Sequence, residues 1–134
     1  MNSCGTLFTY PALDHGASQI RIIRLQPRCE NESITCHLYV SDLEDEDCKY
    51  EALSYEWGEA TSNQHISLDG KDIGIRENLW WALRHLRAEN VERIIWIDAL
   101  CIDQNNEMEK NHQVSLMGRI YSRASRVVAW LGRE

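Results

Sequence analysis

Asp98, Cys101, Asp103 and Gln104 crowd the end of an apolar run, Ile94-Ile-Trp-Ile97. Two carboxylates, a thiol and a side-chain amide at such spacing are the raw material of acid–base or nucleophilic chemistry. Apolar on both alternating faces, the run reads as a buried strand, and in open α/β sheets ligands bind outside the carboxyl ends of such strands. The same residues also have a purely structural use. Asp98 and Asp103 serve equally as acceptors for nearby backbone N–H groups, and Cys101 as a small core hydrophobe. A thiol enzyme built on Cys101 would need a histidine base, and His85 and His112 sit on helices whose facing the sequence leaves open. Tyr55 and Trp57 lead into Gly58; aromatic residues before a glycine turn either punctuate a core or wall a planar ligand.

The elements that must hold these groups follow from periodicity. Ile20–Leu25 and Ile34–Val40 read as strands that pair as a hairpin at an edge of the sheet. Asp42–Asp47 is an acidic run without the glycine and final glutamate of a calcium loop, hence a solvated loop. Tyr50–Tyr55 is a further strand, and Asp69-Gly70 between two short alternating runs predicts a two-residue hairpin. From Arg76 the spacing becomes helical, with Leu79, Ala82, Leu83 and Leu86 forming one stripe over Glu77–Ala88. Arg93–Asp98 is the central strand, flanked by Tyr50–Tyr55 and Val127–Leu131. Between them Glu107–Arg123 forms a helix capped by Asn105 or Asn106, with Glu107 and Glu109 in a first turn favoured by the dipole. Its buried stripe is read as Val114, Met117, Ile120, Tyr121 and Ala124, and Arg119, Arg123 and Arg126 complement its C-terminal dipole. The fold class is therefore α/β: a single domain with a partly parallel central sheet flanked by helices, N-terminal antiparallel strands and a hairpin.

The chain has 134 residues, 43% apolar and 26% charged, the profile of one soluble globular domain. Residues 1–18 read as a poorly ordered lead-in and 19–134 as the domain. A net charge of −7 argues against nucleic acid, and no run is long enough to span a membrane. The N-terminus lacks the basic start and apolar core of a secretion signal. Five cysteines, an odd number without a Cys-x-x-Cys pair, fit reduced thiols in the cytoplasm and no metal site. The last strand has no following helix to cover it, the pattern of an excerpt from something longer.

Three blocks resemble the fungal heterokaryon incompatibility (HET) domain: Tyr50-x-Ala-Leu-Ser-Tyr-x-Trp-Gly58, then Asn78-Leu79 with Ala82-Leu83, then Trp96-Ile-Asp-Ala-Leu-Cys-Ile-Asp-Gln104. The resemblance continues through Glu109-x-x-x-Gln113, Met117, Ile120-Tyr121, Ala124 and Trp130-Leu-Gly132, and departs at Glu56, where the family more often carries a small or apolar residue. It implies an effector or signalling module of nonself recognition and programmed cell death, joined to other protein domains or self-associating, with no cofactor. It makes Tyr55, Trp57, Gly58, Asp98, Cys101, Asp103, Gln104 and Gln113 the signature positions. The family is also distantly similar to TIR domains, some of which cleave NAD with a glutamate on the helix after a central strand. By that likeness Glu109 is the candidate catalytic residue and NAD the candidate substrate, the glutamate stabilising a cationic ribosyl transition state.

Overall fold

The computed structural model describes residues 10–14, 16–28, 33–58 and 64–131. Strands form where β-branched residues concentrate. β1 (Gln19–Leu25) and β2 (Thr35–Asp42) pair antiparallel from Gln19 opposite Asp42 to Leu25 opposite Cys36. They do not lie at an edge, as their hairpin pattern suggests. Ile20, Ile22, Ile23 and Leu25 are all buried, and a strand apolar on both faces is stable only with neighbours on both sides. Accordingly β1 pairs through its other side with β6 (Arg93–Trp96), Ile23 opposite Ile95.

The sheet has seven strands in the order β5-β4-β2-β1-β6-β3-β7, including β3 (Glu51–Tyr55), β4 (Gln64–Leu68), β5 (Lys71–Ile75) and β7 (Arg126–Trp130). β6, β3 and β7 are mutually parallel, and β2 is parallel to β4. The central strand thus has β1 and β3 as neighbours, not β3 and β7. β1 carries the denser apolar pattern and takes the interior slot, whereas Val127 of β7 is 49% exposed and tolerates an edge. β4 and β5 form the expected hairpin. Asp69 and Gly70 take φ of 52° and 81°, and the Asp69 carboxylate accepts from the Leu38 amide at 3.0 Å, fixing the turn to β2.

Helix α1 (Glu77–Leu86) buries Leu79, Ala82, Leu83 and Leu86, the stripe its spacing predicts, and lies against β3 and β4. A one-turn helix, α2 (Asp98–Cys101), follows β6 directly and is too short for periodicity to announce. In α3 (Glu107–Arg123) the buried face is Glu109, Gln113, Leu116 and Ile120, while Val114 is 52% exposed. Of the expected stripe, Ile120 is buried and Met117, Tyr121 and Ala124 pack against the core, so Val114 alone departs from it, while Glu109 in the first turn faces inward, opposite a buried guanidinium described below. Trp96 is fully buried and meets Tyr121 of α3 edge-on at 5.6 Å, and the Tyr50 hydroxyl donates to the Ile120 carbonyl at 2.6 Å.

The acidic run is exposed, as expected, yet it is tethered. Arg119 binds Glu44 at 2.7 Å, and Arg123 donates to the carbonyls of Leu43 and Asp45. The arginines at the end of α3 therefore hold this turn as well as complementing the dipole. Of the lead-in, residues 1–9 and 15 lie outside the described residues, as does Gly132. No helix among the described residues is long and apolar enough to cross a membrane.

Candidate functional site

Because β1 runs against β6, its beginning lies at the carboxyl end of the parallel strands. Ile23 faces Ile95, so the same register carries Arg21 level with Ile97, where the central strand leaves the sheet. Arg21 is 1% exposed, and all five of its guanidinium N–H bonds are used. Nε and Nη2 donate to the Pro11 carbonyl at 3.0 and 2.7 Å, and Nη1 to the Cys101 carbonyl at 3.2 Å. The remaining two form a fork with Glu109, at 2.7 and 2.8 Å. The Tyr10 ring covers the guanidinium at 4.7 Å from its centroid.

Glu109 is itself 3% exposed, and its Oε2 also accepts from the Asp103 amide at 2.7 Å. Around it the signature block closes on its own backbone. Asn106 is the N-cap of α3, its side chain accepting from the Glu109 amide at 3.1 Å. Asp103 accepts from the Asn105 amide at 3.1 Å, and Gln104 donates to the Asp98 carbonyl at 2.9 Å. Cys101 is fully buried, and its sulfur accepts from the Ile97 amide at 3.4 Å; burial, foremost, pushes the thiol up to about 12. Gln113, also fully buried, donates to the Gln19 carbonyl at 3.0 Å.

A second cluster sits beside this one at the exits of β3 and β6. Gly58 has φ of 74°, and a Cβ there would stand 2.6 Å from Asn78 Nδ2, so the turn requires glycine. Asn78 donates to the Glu56 carbonyl at 2.9 Å, Arg76 donates to the Gly58 carbonyl at 3.3 Å, and the Arg76 guanidinium lies 4.7 Å from the Trp57 ring centroid. The turn thus sets Trp57 near Asp98, where it favours the charged form of the carboxyl. Burial raises the Asp98 carboxyl above the usual range, against the Ala99 amide and Trp57, which favour its charged form. Burial and the nearby Asp98 raise the hydroxyls of Tyr55 and Tyr121 in turn. A cavity of about 380 Å³ meets this cluster through Tyr55 and Asn78, with Ser54, Glu56, Ala129, Trp130 and Leu131 as the rest of its lining; Asp98 and Trp57 lie outside that lining.

The nine positions singled out from sequence therefore fall into two groups. Glu109, Cys101, Asp103, Gln104 and Gln113 build a closed scaffold; Tyr55, Trp57, Gly58 and Asp98 form a polar and aromatic cluster next to a cavity. Asn106 is the cap that sequence reading names with Asn105 as its alternative, whereas that reading gives no role to Arg21, Tyr10 or Arg76. Arg21 has a visible signal in retrospect, an arginine set inside the apolar run Ile20 to Ile23. No group of three or more His, Cys, Asp or Glu among the described residues is placed to hold a metal ion. Cys36, Cys48 and Cys101 are free thiols.

No solved structure matches the chain. The family model described as "Heterokaryon incompatibility protein (HET)" matches residues 50–134. The chain is similar to heterokaryon incompatibility protein 6, OR allele, of Neurospora crassa, with 37% identity over 146 aligned positions that take in 97% of this chain. It spans 21% of that relative's length. The matched residues contain β3 with its glycine turn, the central strand, α2, the Arg21 partner Glu109 and β7, and on this evidence the chain belongs to the heterokaryon incompatibility (HET) family.

Proposed function

We propose that the chain is the effector or signalling module of a cytoplasmic fungal protein of nonself recognition, which works by engaging other protein domains and ends in programmed cell death. One observation carries this reading. In the most distinctive stretch, Trp96 to Gln104 with Glu109, the backbone of Asp98, Cys101 and Asp103 and the side chains of Gln104 and Glu109 are bound to one another and to Arg21, which fastens β1, α2 and α3 together. Residues used in this way preserve a shape, and a preserved shape is what a partner reads. A Glu109 whose oxygens accept from Arg21 and Asp103 is a poor candidate to stabilise a passing ribosyl cation, because Arg21 already compensates its charge.

A second reading, cleavage of NAD by a TIR-like hydrolase, draws support from the other cluster. Asp98 lies beside Tyr55 and Trp57 at the carboxyl edge, near a cavity with aromatic walls. On that reading Asp98, not Glu109, is the carboxylate that meets substrate. Expressing the chain in a permissive cell and following viability and NAD together separates the two. The module reading expects growth arrest with NAD unchanged. A fall in NAD that precedes death and disappears in Asp98→Asn establishes the hydrolase instead, and unimpaired growth removes the death-effector role.

A further inference from the structure

Arg21 gives two of its guanidinium N–H bonds to one backbone carbonyl, that of Pro11, ten positions earlier in the chain. Residues 10–14 join no strand ladder among the described residues, and Pro11, Ala12 and Asp14 are exposed. The segment leads into β1 by a tight reversal. The Asp14 carboxylate accepts from the Gly16 amide at 2.9 Å, its carbonyl accepts from the Ala17 amide at 3.1 Å, and its own amide donates to the Gln19 side chain at 2.7 Å. That reversal returns Tyr10 and Pro11 over the carboxyl end of the sheet. Burial foremost, and then Cys101 and Asp103, raise the Tyr10 hydroxyl, so the ring that covers Arg21 also lies against the turn between α2 and α3. An exposed segment held by a few hydrogen bonds therefore covers a fully buried charge pair.

We infer that residues 10–14 are a reversible strap: closed, it keeps water from the Arg21–Glu109 pair and the turn from Asp98 to Glu109 rigid; lifted, it loosens that turn while the sheet stays folded. The two parts differ in what they cost to disturb. Surface segments with few buried contacts open at the low end of the local stability range, whereas strands inside a sheet open only near the cost of global unfolding. Lifting the strap takes from Arg21 the acceptor of two N–H bonds together with its aromatic cover. Water then reaches the guanidinium, and its attraction for Glu109 falls as the local dielectric rises. The loss passes on through bonds already in place. Glu109 holds the Asp103 amide, Arg21 holds the Cys101 carbonyl, and Gln104 holds the Asp98 carbonyl. Pro11 is thus joined by consecutive contacts to both ends of the turn, and the strap is the two-state element that biases them.

The test is amide hydrogen exchange of the whole chain, followed by mass spectrometry, in the parent, Tyr10→Ala and Tyr10→Phe. In Tyr10→Ala the amides of residues 98–110 should exchange about tenfold faster, with those of β3 and β6 unchanged. Raising salt from roughly 50 to 500 mM should speed that exchange further in Tyr10→Ala and leave the parent nearly unchanged, because a pair shielded from water is screened much less. Tyr10→Phe keeps a ring over Arg21 and should stay within about twofold of the parent. If Tyr10→Ala does not hold its fold, Tyr10→Leu, which keeps apolar bulk without the aromatic face, should show the same local acceleration, severalfold in size. Equal acceleration across the whole sheet makes residues 10–14 an ordinary part of the core and overturns the proposal. Unchanged exchange over 98–110, or one salt response shared by parent and variant, overturns it as well. The exchange pattern is read without reference to growth arrest, so the strap stands or falls apart from the proposed function.

Discussion

Replacing Glu109 by glutamine keeps the shape of the side chain and removes its charge. In a catalytic site that swap abolishes turnover and leaves melting nearly unchanged. Here it should do the reverse to stability. Arg21 is 1% exposed and its guanidinium would remain in place with its counter-charge gone, while the glutamine NH₂ would turn a donor toward donors. The Asp103 amide would also face a weaker acceptor or none. Breaking a buried pair from one side costs about 3–5 kcal/mol. For a domain of this size that is a fall in Tm of roughly 10–20 °C. Urea unfolding followed by tryptophan fluorescence measures the first quantity and a thermal scan the second. The double change Arg21→Met with Glu109→Leu should be far milder than Glu109→Gln, because no uncompensated charge is left behind. A Glu109→Gln variant that unfolds within about 0.5 kcal/mol of the parent, the range of ordinary surface substitutions, refutes the clamp.

Trp96→Ala empties a fully buried site packed against Tyr121 and should cost about 3–5 kcal/mol in urea unfolding; parent-like unfolding would contradict the assigned core. Gly58→Ala should lose more than about 1 kcal/mol, since φ of 74° and the approach of Asn78 both oppose a Cβ, and a raised Tm would show the turn to be free of this constraint. Burial pushes both Cys36 and Cys101 up to about 12, so at pH 8 both should resist alkylation in the native protein and label in denaturant, as mapped by mass spectrometry; labelling of folded Cys101 would show it accessible and nucleophilic. The folded-state pKa of Asp98 is raised, chiefly by burial, so its contribution to stability is fully present below the unfolded value of 3.8 and is lost as pH rises through the folded value. Comparing parent with Asp98→Asn by urea unfolding at pH 7 and near pH 4, the parent should gain on the variant at the lower pH. A gap that is constant or moves the other way would contradict the burial of that carboxyl.

Local patterns decide much of this protein without reference to the rest of the chain. The stripe Leu79, Ala82, Leu83, Leu86 can satisfy its hydrophobic groups only as a helix face, and Asp69-Gly70 can turn only where positive φ is cheap. Ile94 to Ile97, apolar on both sides, is stable only inside a sheet. Which strands stand beside it is another matter, because neighbours are chosen by competition among all the strands. β1 takes the place next to β6, and β7 is left at the edge. The inward facing of Glu109 in the first turn of α3 is likewise a tertiary decision: a guanidinium delivered by β1, 88 positions away in sequence, lies opposite it and requires a carboxylate there. The signature residues themselves are visible in the sequence because their types are unusual. Whether each meets a ligand or the protein's own backbone depends on groups from distant segments, Pro11, Arg21 and Asn78 among them, which only the folded chain brings within reach.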